Sequence, residues 1–398
     1  MIIIDELLKK SDIRVGLVGV GFIGGGLARR LTAMQGFNLV IVCDRAAPKP
    51  FISGKSEIRF TADLDEALES DIDVIVDATG SVEYGVRVAT GAIRRNLPLV
   101  MVNVEMDATV GPMIQRMADA AGVPITQSDG DQPGSEMNLY RFIAGMGFTP
   151  RLCGNMKFFQ DHHANPETVL PFAAGQNPRT ISSFADGTKM SMEQAVVGNA
   201  LGWGVAKSGM SGIPYRGNID DVEIIKEFEK IIGDGPCLVD YVLHARPHAG
   251  VFVLATNEDG YMDPYFDAYK LRRRGTNLFS FYVPYHLCHF EMPFTIARLV
   301  LLHDRVMSAR HAAVDVAAVS KRDLKAGEVL DGFGGFMVRG RCENYRYARE
   351  YRLLPVGLAG SDARMVRDVQ ADTPLTYDDV EIPDSPAVVL RREMERIF

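Results

Sequence analysis

Cysteine is sparse in this sequence, with five residues in a chain of 398. Cys43, Cys153, Cys237, Cys288 and Cys342 show no CxxC spacing and their number is odd. That argues against a disulfide framework or a structural zinc site and fits reduced thiols in the cytoplasm. Long apolar runs are also missing: no stretch approaches the roughly 18 residues that a spanning helix needs. Met1-Ile2-Ile3-Ile4-Asp5-Glu6 turns acidic after three isoleucines, unlike a signal peptide, so no membrane partner is expected. Basic excess is lacking too. A net charge of -8 speaks against a nucleic-acid surface, which needs cations to neutralise phosphates. The one basic run, Lys270-Leu271-Arg272-Arg273-Arg274, reads as a solvated loop or a clamp for a small anion. Neither a G-x-S-x-G elbow nor a P-loop occurs, which removes residue support for hydrolase and NTPase chemistry. HExxH spacing is absent, and Asp161-His162-His163 and the set His286, His289 and Glu291 read as hydrogen-bonding groups, so no metal is expected.

What is present is a chain long enough for two or three domains, with the 47% hydrophobic and 24% charged content of a folded globular protein. Residues 2–10 read as a short amphipathic helix. An apolar strand, Arg14 to Gly19, is followed by a helix from Ile23 to about Met34 and a strand over Leu39–Cys43. A helix at Leu64–Glu69, a strand at Val74–Asp77, a helix at 82–95, a strand at 98–102, a helix at 109–121 and a strand at 123–126 continue the alternation. Such alternation predicts βαβ units and an α/β fold, a doubly wound parallel sheet of Rossmann type. The expected division places this dinucleotide-binding domain at 1–135. A mixed α+β substrate domain follows at 136–312, with a helix at 137–146, strands near 250–255 and 279–283, and a helix at 294–303. A small β-rich module closes the chain at 313–398, where short apolar segments alternate with turns.

The chemistry begins at Gly19-Val20-Gly21-Phe22-Ile23-Gly24, a G-x-G-x-x-G that ends a strand and opens a helix. Gly19 permits the tight turn, Gly21 lets the backbone approach a pyrophosphate, and Gly24 allows helix and strand to pack closely. The helix N-terminus then offers partial positive charge to the phosphates. Asp44 ends the second strand about 20 residues on, where an acid bonds the adenosine ribose. Asp44 favours NAD, because a carboxylate repels a 2′-phosphate; Arg45 beside it offers the alternative clamp for NADP. The expected cofactor is NAD or NADP, with NAD slightly favoured. Ala78, Thr79 and Gly80 end the next strand, where small residues let a dinucleotide pass, and Asn103 and Glu105 end the one after.

The second domain must then supply substrate contacts. Lys157, between an apolar segment and Phe158-Phe159, suits carbonyl polarisation or proton donation, since desolvation eases proton release from an ammonium. Asp161, Glu193, Lys189 and His286 are further candidates. Asp186-Gly187-Thr188-Lys189 reads foremost as a hairpin turn.

These motifs resemble the homoserine dehydrogenase superfamily, and within it the branch with a C-terminal SAF domain that includes the 1-deoxy-D-xylulose 5-phosphate reductoisomerase-like enzymes. The landmarks are Val18 to Gly24, Asp73 to Gly80, Leu99 to Glu105, Phe184 to Lys189 and Pro284-Tyr285-His286-Leu287 with Glu291 and Pro293. The SAF-like stretch runs from Ala318 to Glu328. The resemblance implies that Asn103 and Glu105 lie near the nicotinamide, that Lys157 is an active-site lysine, and that Lys189 and His286 share its site. Two departures narrow the substrate. Homoserine dehydrogenases carry a lysine just after the strand-end asparagine, where this chain has Val104-Glu105. The lysine- and asparagine-rich stretch of reductoisomerase-like members is replaced by Met156-Lys157-Phe158-Phe159-Gln160-Asp161-His162-His163. The expected activity is hydride transfer between NAD(P) and a small polar hydroxy or carbonyl compound (a sugar, sugar acid or sugar phosphate), with a coupled isomerisation compatible, in a homo-oligomer. Two alternatives stay open: a nucleotide-sugar enzyme that recycles a tightly held NAD, and a non-redox regulator.

Overall fold

The computed structural model describes residues 8–9, 11–46, 58–271, 275–360 and 362–398. The helix expected over 2–10 lies outside the described residues except for Leu8 and Lys9, as do Arg272, Arg273 and Arg274 of the basic run. Two compact units form. The first takes the described residues of Met1–Gly134 together with Leu287–Arg310 and Pro383–Phe398, and the second takes Ser135–His286 and His311–Ile382. The three-part division read from the sequence follows chain order, whereas these units interleave segments from different parts of the chain.

The first unit is built on a six-stranded parallel sheet. Its elements are β1 (Ile13–Val18), α1 (Phe22–Ala33), β2 (Phe37–Cys43), β3 (Arg59–Thr61), α2 (Leu64–Leu68), β4 (Val74–Asp77), α3 (Val82–Arg94), β5 (Leu99–Met101), α4 (Val104–Ala121) and β6 (Ile125–Gln127). The strand order β3-β2-β1-β4-β5-β6 reverses direction at β1, which creates the crevice where ligands of such sheets bind. Val15, Leu17, Val74, Val76 and Val100 are buried in the sheet, and Leu27 and Leu31 of α1 join the same core. Near-continuous β-branched and leucine runs suit strands covered on both faces. Two helices distant in sequence complete this unit. Cys288–Leu302 adds Met292, Ile296 and Leu299 to the core beside α1. Pro386–Ile397 packs on α3 and α4, where buried Arg391 donates to the Thr109 carbonyl at 2.9 Å and pairs with Glu395 at 2.8 Å.

The second unit begins within α5 (Gln132–Gly145). It continues through β7 (Thr149–Lys157), α6 (Pro178–Ala185), α7 (Thr188–Leu201), β8 (Ile213–Pro214), α8 (Val222–Ile232), β9 (Leu238–Leu243), β10 (Val251–Thr256) and β11 (Phe279–Val283). Its sheet has the order β11-β10-β7-β9-β8 and is mixed: β10 runs antiparallel to β7 and β11, while β9 runs parallel to β7 and β8. Leu152, Met156, Val242, Phe252 and Leu254 of the sheet meet Ile224, Ile225, Phe228 and Ile232 of α8, an amphipathic helix with its apolar face inward. The β-rich part is a hairpin-like pair, β12 (Val314–Ser320) and β13 (Val338–Asn344), with short ladders near 355, 364 and 374. It is anchored to α7. The Asn199 side chain accepts from the Ala313 and Val314 N–H groups at 2.9 Å each, and the Thr188 hydroxyl accepts from Gly340 N–H at 2.7 Å. Among the described residues, no helix is long and apolar enough to cross a membrane.

Several expectations are corrected. The helix expected from 109 starts at Val104, because Asn103 caps it by accepting from Met106 N–H and because Glu105 and Asp107 suit its positive end. Pro112 sits inside that helix rather than marking its beginning. The helices expected from 137 and 294 start at Gln132 and Cys288, one turn or more earlier. Asp186-Gly187 is not a hairpin turn: Gly187, at φ +87°, makes the corner between α6 and α7. Helices over 178–185, 222–232 and 386–397 add to those expected, and that at 188–201 is buried on nearly every side, so its sequence carries no apolar stripe.

Asp107 shows the cost of a buried acid. It is 3% exposed, and Gln127 Nε2 donates to its Oδ2 at 2.6 Å. Burial pushes its carboxyl up to about 6. The folded state therefore binds this proton more tightly than the unfolded chain, and the group opposes folding increasingly as pH rises from about 4 through 6. Asp107→Asn is expected to be the more stable protein at pH 8, by up to about 3 kcal/mol, with the gap closing near pH 4. Urea unfolding at both pH values measures this; an equal gap at both would refute it.

Candidate functional site

The glycine loop after β1 is shaped by close backbone approach. Gly19 holds φ at +89°, and a Cβ there would stand 2.8 Å from the Ala78 carbonyl oxygen. A Cβ on Gly24 would overlap the Gly19 carbonyl itself, so helix and strand ends meet without side chains between them. Gly21 differs: among the described residues no atom lies within 4 Å of where its Cβ would be. It is the N-cap of α1, with no capping side chain and no acid in the first turn. The first-turn N–H groups are thus left to an anion, and the open space over Gly21 fits a pyrophosphate. Phe22 is exposed beside this opening and Ile23 is half-buried against the core.

Asp44 closes the loop from the end of β2. Its Oδ2 accepts from Val20 N–H at 2.7 Å and its Oδ1 from Ala46 N–H at 2.7 Å, while Arg45 is exposed next to it. The carboxylate therefore shapes the glycine loop, and each oxygen keeps lone-pair capacity for a ribose. At the end of β4, Asp77 is fully buried, which raises its carboxyl, and accepts from the Thr79 N–H and hydroxyl at 2.9 and 2.7 Å. Asn103 Nδ2 reaches Asp77 Oδ2 and the Ser81 carbonyl at 2.9 Å each. Asn103 thus ties the β4 and β5 ends together and fixes Ala78, Thr79 and Gly80 as a rigid small-residue floor. Gly80 has φ +62°, and Glu105 Oε2 lies 4.0 Å from its Cβ position.

A second cluster stands in the second unit. β7 alternates its side chains, so Asn155 and Lys157 share a face (residues i and i+2). Both meet Glu193 of α7: Asn155 Nδ2 donates to Glu193 Oε2 at 3.1 Å, and Lys157 Nζ stands 3.5 Å from the same oxygen. The Lys157 ammonium also lies 5.9 Å from the Phe184 ring centre. The sequence suggested Phe158 and Phe159 as its apolar neighbours, but both are exposed, and Phe184 and Glu193 surround it instead. Behind Glu193, Gln194 Nε2 donates to Glu136 Oε2 of α5 at 2.8 Å. Glu136 and Gln194 gave no sequence signal: α7 is buried on nearly every side and shows no polar face, and no local pattern pairs Glu136 with a residue fifty-eight positions away.

The other candidates lie on separate elements. Asp161 is exposed in the loop after β7, where it accepts from His163 N–H at 3.0 Å. Lys189 is half-buried in the first turn of α7, and His286 is half-buried just beyond β11. Among the described residues, no three His, Cys, Asp or Glu side chains gather as a metal-ligand set.

Residues 19–126 match the family model for the NAD-binding domain of homoserine dehydrogenase, and residues 130–292 match that for the catalytic domain of oxidoreductase DRL. These are the domains of an NAD(P)-dependent oxidoreductase. No curated protein matches the chain. Among solved structures, it is similar to an amine dehydrogenase from Mycobacterium smegmatis (14% identity, TM-score 0.44, covering 73% of this chain and 92% of that one). It is similar also to GenD2 of gentamicin A biosynthesis in complex with NAD (15%, 0.41, 74% and 87%). A biliverdin reductase from Synechocystis matches at 17% identity and a TM-score of 0.29 over 38% of this chain, which spans about half (49%) of that structure.

Because no described residue occupies the space at Gly21, a side chain there should spare the fold and obstruct the cofactor. Gly21→Val is expected to fold normally yet lose more than about tenfold in NAD(P) affinity, at least 1.4 kcal/mol. Fluorescence titration reads this, and unchanged affinity in a folded variant would displace the pyrophosphate from this loop.

Proposed function

We propose that the enzyme transfers hydride between NAD(P) and a small polar hydroxy or carbonyl compound, in the sugar, sugar-acid or sugar-phosphate class. Lys157 is its acid–base group in this reading. The observation that carries it is the Lys157–Glu193–Asn155 cluster. A half-buried ammonium is held by one buried carboxylate, and that carboxylate is itself oriented by an amide. Such support fixes the ammonium in position, which acid–base catalysis needs.

When bound, NAD(P) supplies or takes up the hydride. In the reducing direction the substrate C=O opens as its carbon gains hydride, and its oxygen takes a proton from Lys157, which is left as a neutral amine. Before transfer the ammonium polarises the same oxygen. Oxidation runs in reverse, with the amine accepting the hydroxyl proton. Asp161, Lys189 and His286 orient substrate in this proposal. Gly19, Gly21, Phe22, Ile23, Gly24, Asp44, Arg45, Ala78, Thr79, Gly80, Asn103 and Glu105 form the cofactor cradle. The three functional divisions at 1–135, 136–312 and 313–398, the last with SAF character, belong to the same reading, as do a cytoplasmic location and homo-oligomeric assembly. That none of the five cysteines forms a disulfide supports the reducing compartment in this reading.

NAD is preferred over NADP in this proposal, because Asp44 sits where the ribose hydroxyls bind. Asp44→Ala is expected to weaken NAD and to improve NADP relative to it, by removing charge repulsion. Paired titrations with the two cofactors test this; a wild type already selective for NADP would pass control to Arg45.

A panel of hydroxy and carbonyl metabolites, followed by absorbance of the reduced nicotinamide, identifies the substrate. With that substrate, Lys157→Met should retain fold and cofactor binding while turnover drops by roughly 10²–10⁴-fold. Turnover within about threefold of wild type would remove Lys157 from the chemistry.

A further inference from the structure

Glu136 is fully buried, and among the described residues only one of its two carboxyl oxygens has a hydrogen-bond partner. Gln194 Nε2 donates to Oε2 at 2.8 Å, and Oε1 is left without one. The carbonyl oxygen of the same Gln194 amide is likewise buried and without a donor. Two acceptors on two bonded planar groups therefore lack one hydrogen between them. A carboxylate has no hydrogen to give, whereas a carboxylic acid has one. A proton on Glu136 provides the missing donor, and acid and amide then both donate and accept.

Charge points the same way. The ionisable groups that face Glu136 are Glu193 on α7, and Lys157 and Cys153 on β7. Glu193 already stands 3.5 Å from the Lys157 ammonium. One cation cannot offset two carboxylates in a space from which water is excluded, because like charges at short range keep one acid protonated. Burial and the Glu193 charge both hold the Glu136 carboxyl well above its usual range, and the buried Cys153 thiol adds no cation.

We infer that Glu136 is carried as the neutral acid, and that it serves as a positioning residue for the Lys157 site. Paired with Gln194, it fixes the turn of α7 that presents Glu193, and it adds no second carboxylate charge beside the Glu193–Lys157 pair. This rests on the proposed role of Lys157, but the protonation of Glu136 is measurable without any substrate.

The first arm labels every glutamate with carbon-13 at Cδ and follows the wild-type carboxyl signals by NMR from pH 5 to 8, with Glu136→Gln providing the assignment. A glutamate signal that stays in its acid form at pH 8 and vanishes in the variant is expected. If all glutamate signals in folded wild-type protein titrate to carboxylate by pH 7, the proposal is overturned, and that result holds even if the variant fails to fold. The second arm uses the identified substrate. Glu136→Leu strands the Gln194 amide and should lower kcat by about tenfold to a hundredfold through misplacement of Glu193 and Lys157. Glu136→Gln, whose amide both donates and accepts as the acid does, should rescue most of that loss. A folded Glu136→Leu protein with wild-type kcat, or a Gln variant as impaired as Leu, overturns the positioning role. Should Lys157→Met prove harmless while the acid signal persists, the Lys157 reading fails and the neutral state of Glu136 stands.

Discussion

Helix α7 runs through the second unit with almost no face to solvent: Thr188 and every residue from Met190 to Asn199 are buried. A buried polar group without a partner is costly, so each polar side chain on this helix must find one within the protein. Thr188 accepts from Gly340, Asn199 accepts from Ala313 and Val314, Glu193 takes Asn155 and Lys157, and Gln194 takes Glu136. The β-rich part, the central strand β7 and helix α5 are thereby referred to one rod. The Lys157 ammonium, paired with Glu193 of that frame, is held more rigidly than a loop would hold it.

Just before this helix, Asp186 and Lys321 form an ion pair at 2.6 Å with both side chains nearly inaccessible to water. Lys321 also donates to the carbonyls of Ala164 and Gly335. Buried pairs of this kind contribute little net stability compared with well-packed apolar groups, yet losing one partner strands the other charge. Their value lies in defining a single docking of the 321–340 segment against the α6–α7 corner. Together with Glu193 and Glu136, they make this unit a place where carboxylates are buried by design and each is balanced differently. Asp186 has a lysine, Glu193 shares a lysine and an amide, and Glu136 has an amide.

The first unit follows another logic. Its ligand loop depends on backbone contact, with Gly19 against Ala78 and Gly24 against the Gly19 carbonyl, and on two polar side chains that tie strand ends. Asp44 holds the loop through Val20 and Ala46 N–H groups, and Asn103 spans Asp77 and Ser81. These side chains organise the crevice as much as they face it. Asn103 could not be assigned that work from sequence, because a strand-end asparagine reads equally as a helix cap, a ligand contact or a cross-strand tie.

The parallel sheet and the glycine loop were legible in the sequence, since each depends on local signals: buried apolar runs, glycines at fixed spacing and an acid at the next strand end. Lys157 stood out as a candidate because it ends an apolar segment. Tertiary structure decided its surroundings. Phe158 and Phe159, adjacent in the chain, turn to solvent, and Glu193, thirty-six residues away, becomes its partner. Helix α7 was hidden because burial on nearly all sides erases the periodicity that marks a helix in sequence. Asp186-Gly187 read as a hairpin because a glycine at positive φ serves a helix corner as readily as a β-turn. The helices at 288–302 and 386–397 return to the first unit from afar, and that placement rests on long-range apolar packing that no local pattern encodes. Local chemistry thus determined what the chain binds, and the long-range balance of buried charge decided which side chains surround Lys157.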